Sequence, residues 1–202
     1  TKDLLSKRYV QVTTGLACDI TFTASAEDAT KGTAKVYENY AQDGSPARVD
    51  GTYDYTYNAA TRTVSFSQEG TAADFSVVFD GANNAYYKQG ASYGALKVFS
   101  PGSMLNNSQF ITYDFNERWG TVIDFRNDKV YFDEYLYNLV PEYVENADGT
   151  WNMNFDSETL NVMATEVLMV ESVEKFVISA DFTEIIMHYT LNGEAKTSTF
   201  TK

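Results

Sequence analysis

The feature that most constrains this chain is an alternation of polar and aromatic residues with a period of two. Residues 51–57 read GTYDYTY, so Tyr53, Tyr55 and Tyr57 alternate with threonine and aspartate. Successive side chains of a β-strand point to opposite faces, whereas a helix would distribute the three tyrosines around its axis. The segment is therefore predicted to be a strand with one aromatic face.

The same alternation recurs along the whole chain. Further strands are predicted around residues 9–13, 20–23, 34–40, 63–66, 75–79, 96–99, 110–115, 121–125, 130–137, 151–155, 160–165, 176–180 and 185–191. About a dozen short strands at intervals of about ten residues are typical of an antiparallel sandwich or barrel. We therefore predict an all-β fold, an antiparallel up-and-down barrel or half-barrel.

An internal similarity suggests that the fold consists of two duplicated halves. The Asp-Gly-Thr sequence at residues 50–52 recurs at residues 148–150, and the same spacing matches Tyr53 with Trp151 and Tyr57 with Phe155. Weaker parallels at other spacings are KVY at 35–37 and 129–131, and FSVV at 75–78 against FVIS at 176–179. Because Asp-Gly before a strand is common turn chemistry, chance similarity between two hairpins remains the alternative.

A duplication would divide the chain into a first β half, residues 1–100, and a second β half, residues 101–202. The best candidate joint is the sequence SPGS at residues 100–103. A joint this short favours halves that pack together as one unit over halves on a flexible tether.

The charge of the chain excludes two classes of partner. It carries 28 acidic and 15 basic residues, giving a net charge of −13 and an isoelectric point of about 4.4. Nucleic-acid binding requires lysine and arginine to neutralise phosphates, and docking on anionic lipid requires a basic surface. We therefore predict no nucleic-acid partner and no electrostatic attachment to a membrane.

Catalytic and metal-binding residue types are scarce. The chain has one cysteine, Cys18, and one histidine, His188, and it lacks a Gly-x-Ser-x-Gly sequence. The acidic loop at residues 145–149 lacks the alternating acidic ladder of a calcium-binding EF-hand, and one histidine with one cysteine does not supply the usual zinc ligands. The prediction is a protein that is not an enzyme and that has no metal site and no cofactor.

The GTYDYTY strand, a short turn and the sequence TVSF at residues 63–66 together resemble the lipocalin-like (calycin-like) lipoproteins exported by gut bacteria. The resemblance implies an up-and-down barrel or half-barrel whose apolar interior holds a small ligand. It also implies an extracellular, periplasmic or cell-surface location, with membrane attachment only through a lipid anchor outside this chain.

The predicted function is that of an exported binding protein for a small apolar or amphipathic ligand. The predicted ligand-binding residues are the two matching aromatic stripes: Tyr53, Tyr55, Tyr57, Trp151, Met153 and Phe155. Alternatives remain at this point. The chain could be a β-sandwich module of a bacterial surface protein that binds glycans or proteins through exposed aromatic residues, or a purely structural domain of a larger surface protein. The two stripes could also be ordinary core faces.

Overall fold

Antiparallel strands make up most of the structure, a computed structural model that describes residues 3–81, 84–133 and 135–202. The predicted all-β class is confirmed. Contacts divide the chain into two units, Thr1–Met104 and Leu105–Lys202, and each unit has its own hydrophobic core. The short helix α1 (Pro101–Leu105) lies at the division.

The first unit is a closed up-and-down barrel of eight strands. A single 3₁₀ turn (Leu4–Ser6) precedes them. The strands are β1 (Arg8–Val12), β2 (Leu16–Ala24), β3 (Lys31–Glu38), β4 (Val49–Asn58), β5 (Thr63–Gln68), β6 (Thr71–Asp80), β7 (Asn84–Gln89) and β8 (Ser92–Val98). Each strand is antiparallel to the next, and β8 returns to pair with β1 at Tyr9 opposite Val98 and Val10 opposite Lys97.

The alternation in the sequence decides which side chains fill this barrel. On β4, Tyr55 and Tyr57 are buried while the intervening Thr56 is exposed. The local sequence also determines the tight turns between strands. A two-residue turn matches the twist of a hairpin when both of its residues have positive φ, and Glu69 and Gly70 have φ of 50° and 78°.

The second unit is a curled antiparallel sheet of nine strands. They are β9 (Gln109–Thr112), β10 (Thr121–Arg126), β11 (Lys129–Phe132), β12 (Leu136–Leu139), β13 (Glu142–Glu145), β14 (Trp151–Asn154), β15 (Ser172–Ile178), β16 (Glu184–Leu191) and β17 (Glu194–Thr201). Their order in the sheet is β12-β11-β10-β9-β17-β16-β15-β14-β13. The two ends of the sheet are therefore consecutive strands of the chain.

Strand directions and the short chain connection show that the two edges of this curled sheet lie close together. Every neighbouring pair is antiparallel, so β12 and β13, eight steps apart in the order, run in the same direction. Only Val140 and Pro141 separate them, so Leu139 and Glu142 lie at most about 11 Å apart, three Cα steps. The sheet therefore curls until its edges lie close together, and β12 and β13 share one position in a ring of eight.

Two predicted strands are wrong. The single strand predicted at residues 130–137 is instead divided between β11 and β12, which pair antiparallel with each other. Residues 160–165 lie in helix α2 (Ser157–Val162) and in the π-helical turn that continues it, Met163–Leu168. The carboxylate of Asp156 caps the helix by accepting a hydrogen bond of 2.8 Å from the Thr159 N–H. Leu160, Met163 and Ala164 follow the helical spacing, and Met163 and Ala164 are buried in the second core.

The predicted correspondence of Tyr53 with Trp151 is also wrong. Tyr53 lies on the fourth strand of its unit, whereas Trp151 lies on β14, the fifth position of the second ring. The shared Asp-Gly pair misled the alignment, because Gly51 lies within a strand while Gly149 lies in a turn with φ of 83°.

The two weaker sequence parallels do agree with the strand order. The KVY sequences occupy the third position in both units, β3 and β11. The FSVV and FVIS sequences lie on the sixth position in both, β6 and β15. The two units thus share an eight-position up-and-down order, with the helical segment inserted after the fifth position of the second.

Candidate functional site

The predicted tyrosine stripe lies inside the first barrel. Tyr55 and Tyr57 are buried, with rings 5.3 Å from Phe22 and 6.1 Å from Phe79, respectively. Tyr53 is half-buried and packs edge-on against Phe75. The deeper two tyrosines therefore pack as core residues, and only Tyr53 reaches a surface hollow.

The predicted stripe of the second unit is part of that unit's own core. Met153 is fully buried, and Trp151 and Phe155 are half-buried against the same cluster. Phe155 lies just beyond the end of β14 and packs edge-on against Phe176, with ring centroids 5.6 Å apart. The structure thus brings each stripe together only within the core of its own unit.

The two ends of the first barrel differ in chemistry. At one end, the 3₁₀ turn inserts the fully buried Leu5, and the Tyr9 hydroxyl donates a 3.0 Å hydrogen bond to the Leu4 carbonyl. At the other end lie the β1–β2 loop, residues 13–15, and the longer β3–β4 loop, residues 39–48. We call this second end the mouth.

Arg48, the last residue of the β3–β4 loop, holds the mouth together. Its Nε donates to Glu38 Oε2 at 2.5 Å, and its Nη1 lies 3.3 Å from Asp74 Oδ1. Its Nη2 donates to the hydroxyl of the buried Tyr87. One guanidinium therefore links residues of β3, β6 and β7, using the planar set of donors that arginine provides.

The two acidic partners of Arg48 also accept hydrogen bonds from other residues. Glu38 is 3% exposed and also accepts a 3.0 Å hydrogen bond from the Tyr40 backbone N–H. Asp74 accepts from the Gln89 amide at 2.8 Å, and this bond, with Arg48, holds the pKa of Asp74 below its ordinary value. The mouth thus contains two carboxylates around one cation.

Two hollows flank Arg48. The larger, about 500 Å³, is an open groove between Tyr53, Gln68 and the start of β6. The smaller, about 230 Å³, is lined by Glu38, Tyr40, Arg48, Tyr87, Gln89, Ser92, Tyr93 and Gly94. Pockets of a few hundred cubic ångströms with several polar groups are of the size that small molecules occupy.

The floor of the smaller hollow depends on a glycine. A Cβ atom at Gly94 would overlap the Tyr40 hydroxyl and would lie only 2.7 Å from Gln11 Oε1. That Oε1 atom is buried and has no hydrogen-bond partner among the described residues. Leaving a buried acceptor unpaired costs about 1–3 kcal/mol, so a donor from a bound molecule or water would stabilise this site.

Comparison with protein-family models, with curated proteins and with solved structures found no match.

Sequence reasoning missed Arg48, Glu38, Gln11 and Gly94. A signal existed for two of them: Gln11 and Glu38 fall in phase with the apolar residues of their strands, such as Tyr9 and Val36. A polar residue at an inward-facing strand position requires a partner.

The described parts of the chain lack two kinds of feature. No helix there has the length and hydrophobicity needed to cross a bilayer, and no cluster of three metal-ligating side chains occurs there.

The buried thiol gives a pH-dependent prediction. Burial is the main reason that the pKa of Cys18 rises from 9.0 to about 12. The folded state therefore keeps this proton while the unfolded chain loses it near pH 9, so the stabilisation is complete below pH 9 and declines as the pH rises toward 12. Between pH 8 and pH 10, the free energy of unfolding should fall by about 1 kcal/mol more in the wild type than in Cys18→Ala. Urea unfolding of both proteins measures the difference, and equal losses would contradict the buried-thiol assignment.

Proposed function

We propose that this protein binds a small, uncharged amphipathic molecule at the mouth of its first barrel, without chemical conversion. The observation that carries the proposal is the hollow of about 230 Å³ at the mouth, whose lining combines the aromatic residues Tyr87 and Tyr93 with polar side chains. The polar side chains that line it, such as Tyr40, Gln89 and Ser92, can bond to hydroxyl or amide groups of a ligand. The barrel fold is compatible with the ligand binding that the calycin-like resemblance implies.

The charges at the mouth favour a neutral ligand. Arg48 already contacts both Glu38 and Asp74, so its positive charge is offset by two carboxylates. An anionic head group, such as a carboxylate, would meet acceptors and negative charge there. A neutral molecule with hydrogen-bond donors fits these groups better. The exposed ring of Tyr93, which has Lys88 Nζ 5.4 Å from its centroid, offers a contact for the other end of that molecule.

Binding without catalysis is supported by the state of the thiol near the mouth. The nucleophilic form of cysteine is the thiolate, and burial holds the pKa of Cys18 at about 12. Cys18 is also fully buried, so a substrate would not reach it without movement of the barrel wall.

The test uses two dyes with the same aromatic body. N-phenyl-1-naphthylamine is neutral, whereas 1-anilinonaphthalene-8-sulfonate carries a negative charge. We expect fluorescence titration at pH 7 to show saturable binding of the neutral dye and at least tenfold weaker binding of the sulfonate. Equal affinities for the two dyes would contradict a neutral-selective mouth.

Variants locate the binding. Gly94→Val should reduce neutral-dye affinity at least tenfold, because its Cβ would overlap the Tyr40 hydroxyl and displace that wall of the hollow. Far-UV circular dichroism of the variant checks that it remains folded. Gly15→Val is the matched control: its Cβ would meet only Gln42 Nε2, at 3.9 Å. Tyr93→Ala, at a residue 63% exposed, tests the same hollow with little risk to folding and should weaken dye binding several-fold. Unchanged dye binding in both Gly94→Val and Tyr93→Ala would rule out the mouth as the binding site.

A further inference from the structure

A second candidate site lies on the outer face of the curled sheet of the second unit. On β10, Ile123 and Phe125 point into the core, while Val122, Asp124 and Arg126 lie on the opposite face. These three residues form the floor of a groove of about 410 Å³. Its remaining lining residues are Gln109, Trp119, Gly120, Tyr131 and Asp133.

The floor of this groove contains an ion pair on the face of β10 that points away from the core. The Asp124 side chain is 11% exposed and forms an ion pair with Arg126. The Arg126 guanidinium lies over the Tyr131 ring, 5.5 Å from its centroid. The Tyr131 hydroxyl in turn donates a 3.0 Å hydrogen bond to Asn138. The carboxylate, guanidinium and aromatic ring are thus held in fixed relative positions.

The rim of the groove presents an exposed tryptophan on a rigid turn. Trp119 is 71% exposed, and its backbone N–H donates a 3.0 Å hydrogen bond to Asn116 Oδ1. Gly120 follows with a φ of 71°, and a Cβ there would lie 2.6 Å from the Ile111 side chain. The Arg118 guanidinium lies over the indole, 4.8 Å from the ring centroid, and the side chain still remains mostly in solvent at the rim of the groove.

The chemistry of the groove fits a sugar. The indole of Trp119 can offer a sugar ring the face that is not covered by Arg118, and Asp124, Arg126 and Gln109 supply acceptors and donors for hydroxyl groups. The second unit carries seventeen acidic and six basic residues, a net charge of −11, whereas the first unit, with eleven and nine, has only −2. Electrostatic repulsion therefore disfavours uronate-containing and sulfated glycans.

We infer that this groove binds a segment of a neutral polysaccharide, with one sugar ring stacked on Trp119 and its hydroxyl groups bonded to Asp124 and Arg126. This activity is separate from the proposed ligand binding at the mouth of the first barrel, because none of the groove residues belongs to that unit.

Affinity electrophoresis tests the inference. Native gels would contain hydroxyethylcellulose, laminarin, dextran, galactomannan or arabinoxylan as neutral probes, and carboxymethylcellulose as the anionic counterpart of the first. We expect the protein to be retarded by at least one neutral polysaccharide, and the anionic probe to retard it less than its neutral counterpart does. Absence of retardation by all five neutral probes would overturn the inference.

Variants of the rim and floor provide the second part of the test. Trp119→Ala should lower the affinity at least tenfold and Trp119→Phe should restore part of it, since a phenyl ring still stacks. Asp124→Asn should weaken binding several-fold. Tyr135→Ala is the matched control, because Tyr135 is 67% exposed and does not line the groove. Retardation unchanged in Trp119→Ala would overturn the assignment, and dye binding at the mouth reports separately on the proposed function.

Discussion

Replacing Arg48 with methionine is expected to lower the free energy of unfolding by about 2–3 kcal/mol at pH 7. The reason is that the Glu38 carboxylate, 4% exposed, would lose its 2.5 Å partner while remaining inside the barrel. Removing one member of a buried pair typically costs about 3–5 kcal/mol, and the lower value applies because Arg48 is itself 36% exposed. Urea unfolding at 25 °C measures the change.

A double-mutant cycle separates the ion pair from simple loss of packing. The double variant Glu38→Gln/Arg48→Met should be more stable than the sum of the two single changes predicts, by about 1–2 kcal/mol. Lys35→Met is the control: Lys35 is exposed on β3, the strand that also carries Glu38, and the change should alter stability by less than about 0.5 kcal/mol. Strict additivity in the cycle would show that Arg48 and Glu38 do not stabilise the mouth as a pair.

Replacing Phe22 with alanine is expected to have the largest effect on the first barrel, about 3–5 kcal/mol of lost stability. The Phe22 ring lies 5.3–6.2 Å from the rings of four other aromatic residues: Tyr9, Tyr55, Phe66 and Phe79. Deleting it leaves a cavity that these large neighbours cannot fill without leaving their own rotamers. Thermal and urea unfolding provide the measurement.

The same variant distinguishes a packed interior from a ligand chamber. Thr21→Ala, one residue away on the outer face, is the control and should cost little. If the depth of the barrel were the ligand chamber, Phe22→Ala would keep its stability and bind more of the neutral dye. A loss below about 1 kcal/mol with stronger dye binding would therefore contradict the core assignment.

The strand pattern was predictable because each strand carries its own signal. In β4, the alternation of tyrosine with threonine and aspartate predicts both the strand and the buried face, and Tyr55 and Tyr57 follow it. The helix at Ser157–Val162 was missed because Val162 and Thr165 also favour strands. Its start is set instead by the cap at Asp156 and by the helical spacing of Leu160, Met163 and Ala164.

The mouth could not be assembled from the sequence. Arg48 contacts Tyr87, which lies 39 residues further along the chain, and Asp74, which lies 26 residues away. These contacts depend on the register of several strand pairs around the barrel, which local alternation does not specify. The inward phase of Gln11 and Glu38 marks polar groups in need of partners, but it does not name those partners.

In each ring, the first and last strands of the unit pair with each other at a seam, and this seam affects the order of folding. In the first unit, β1 meets β8 through only two residue pairs, with Tyr9 opposite Val98 across almost the whole unit. In the second, β17 meets β9 through the single pair Thr201 and Ile111. Joining chain ends about 90 residues apart costs about 4 kcal/mol in loop-closure entropy, which is more than one or two paired strand residues contribute in stability. Hairpins joined by short turns lose little of this entropy, so they form first. Once formed, they shorten the loop that remains to be closed between the ends of the unit. We therefore expect each ring to close last, at its seam, after its hairpins have formed.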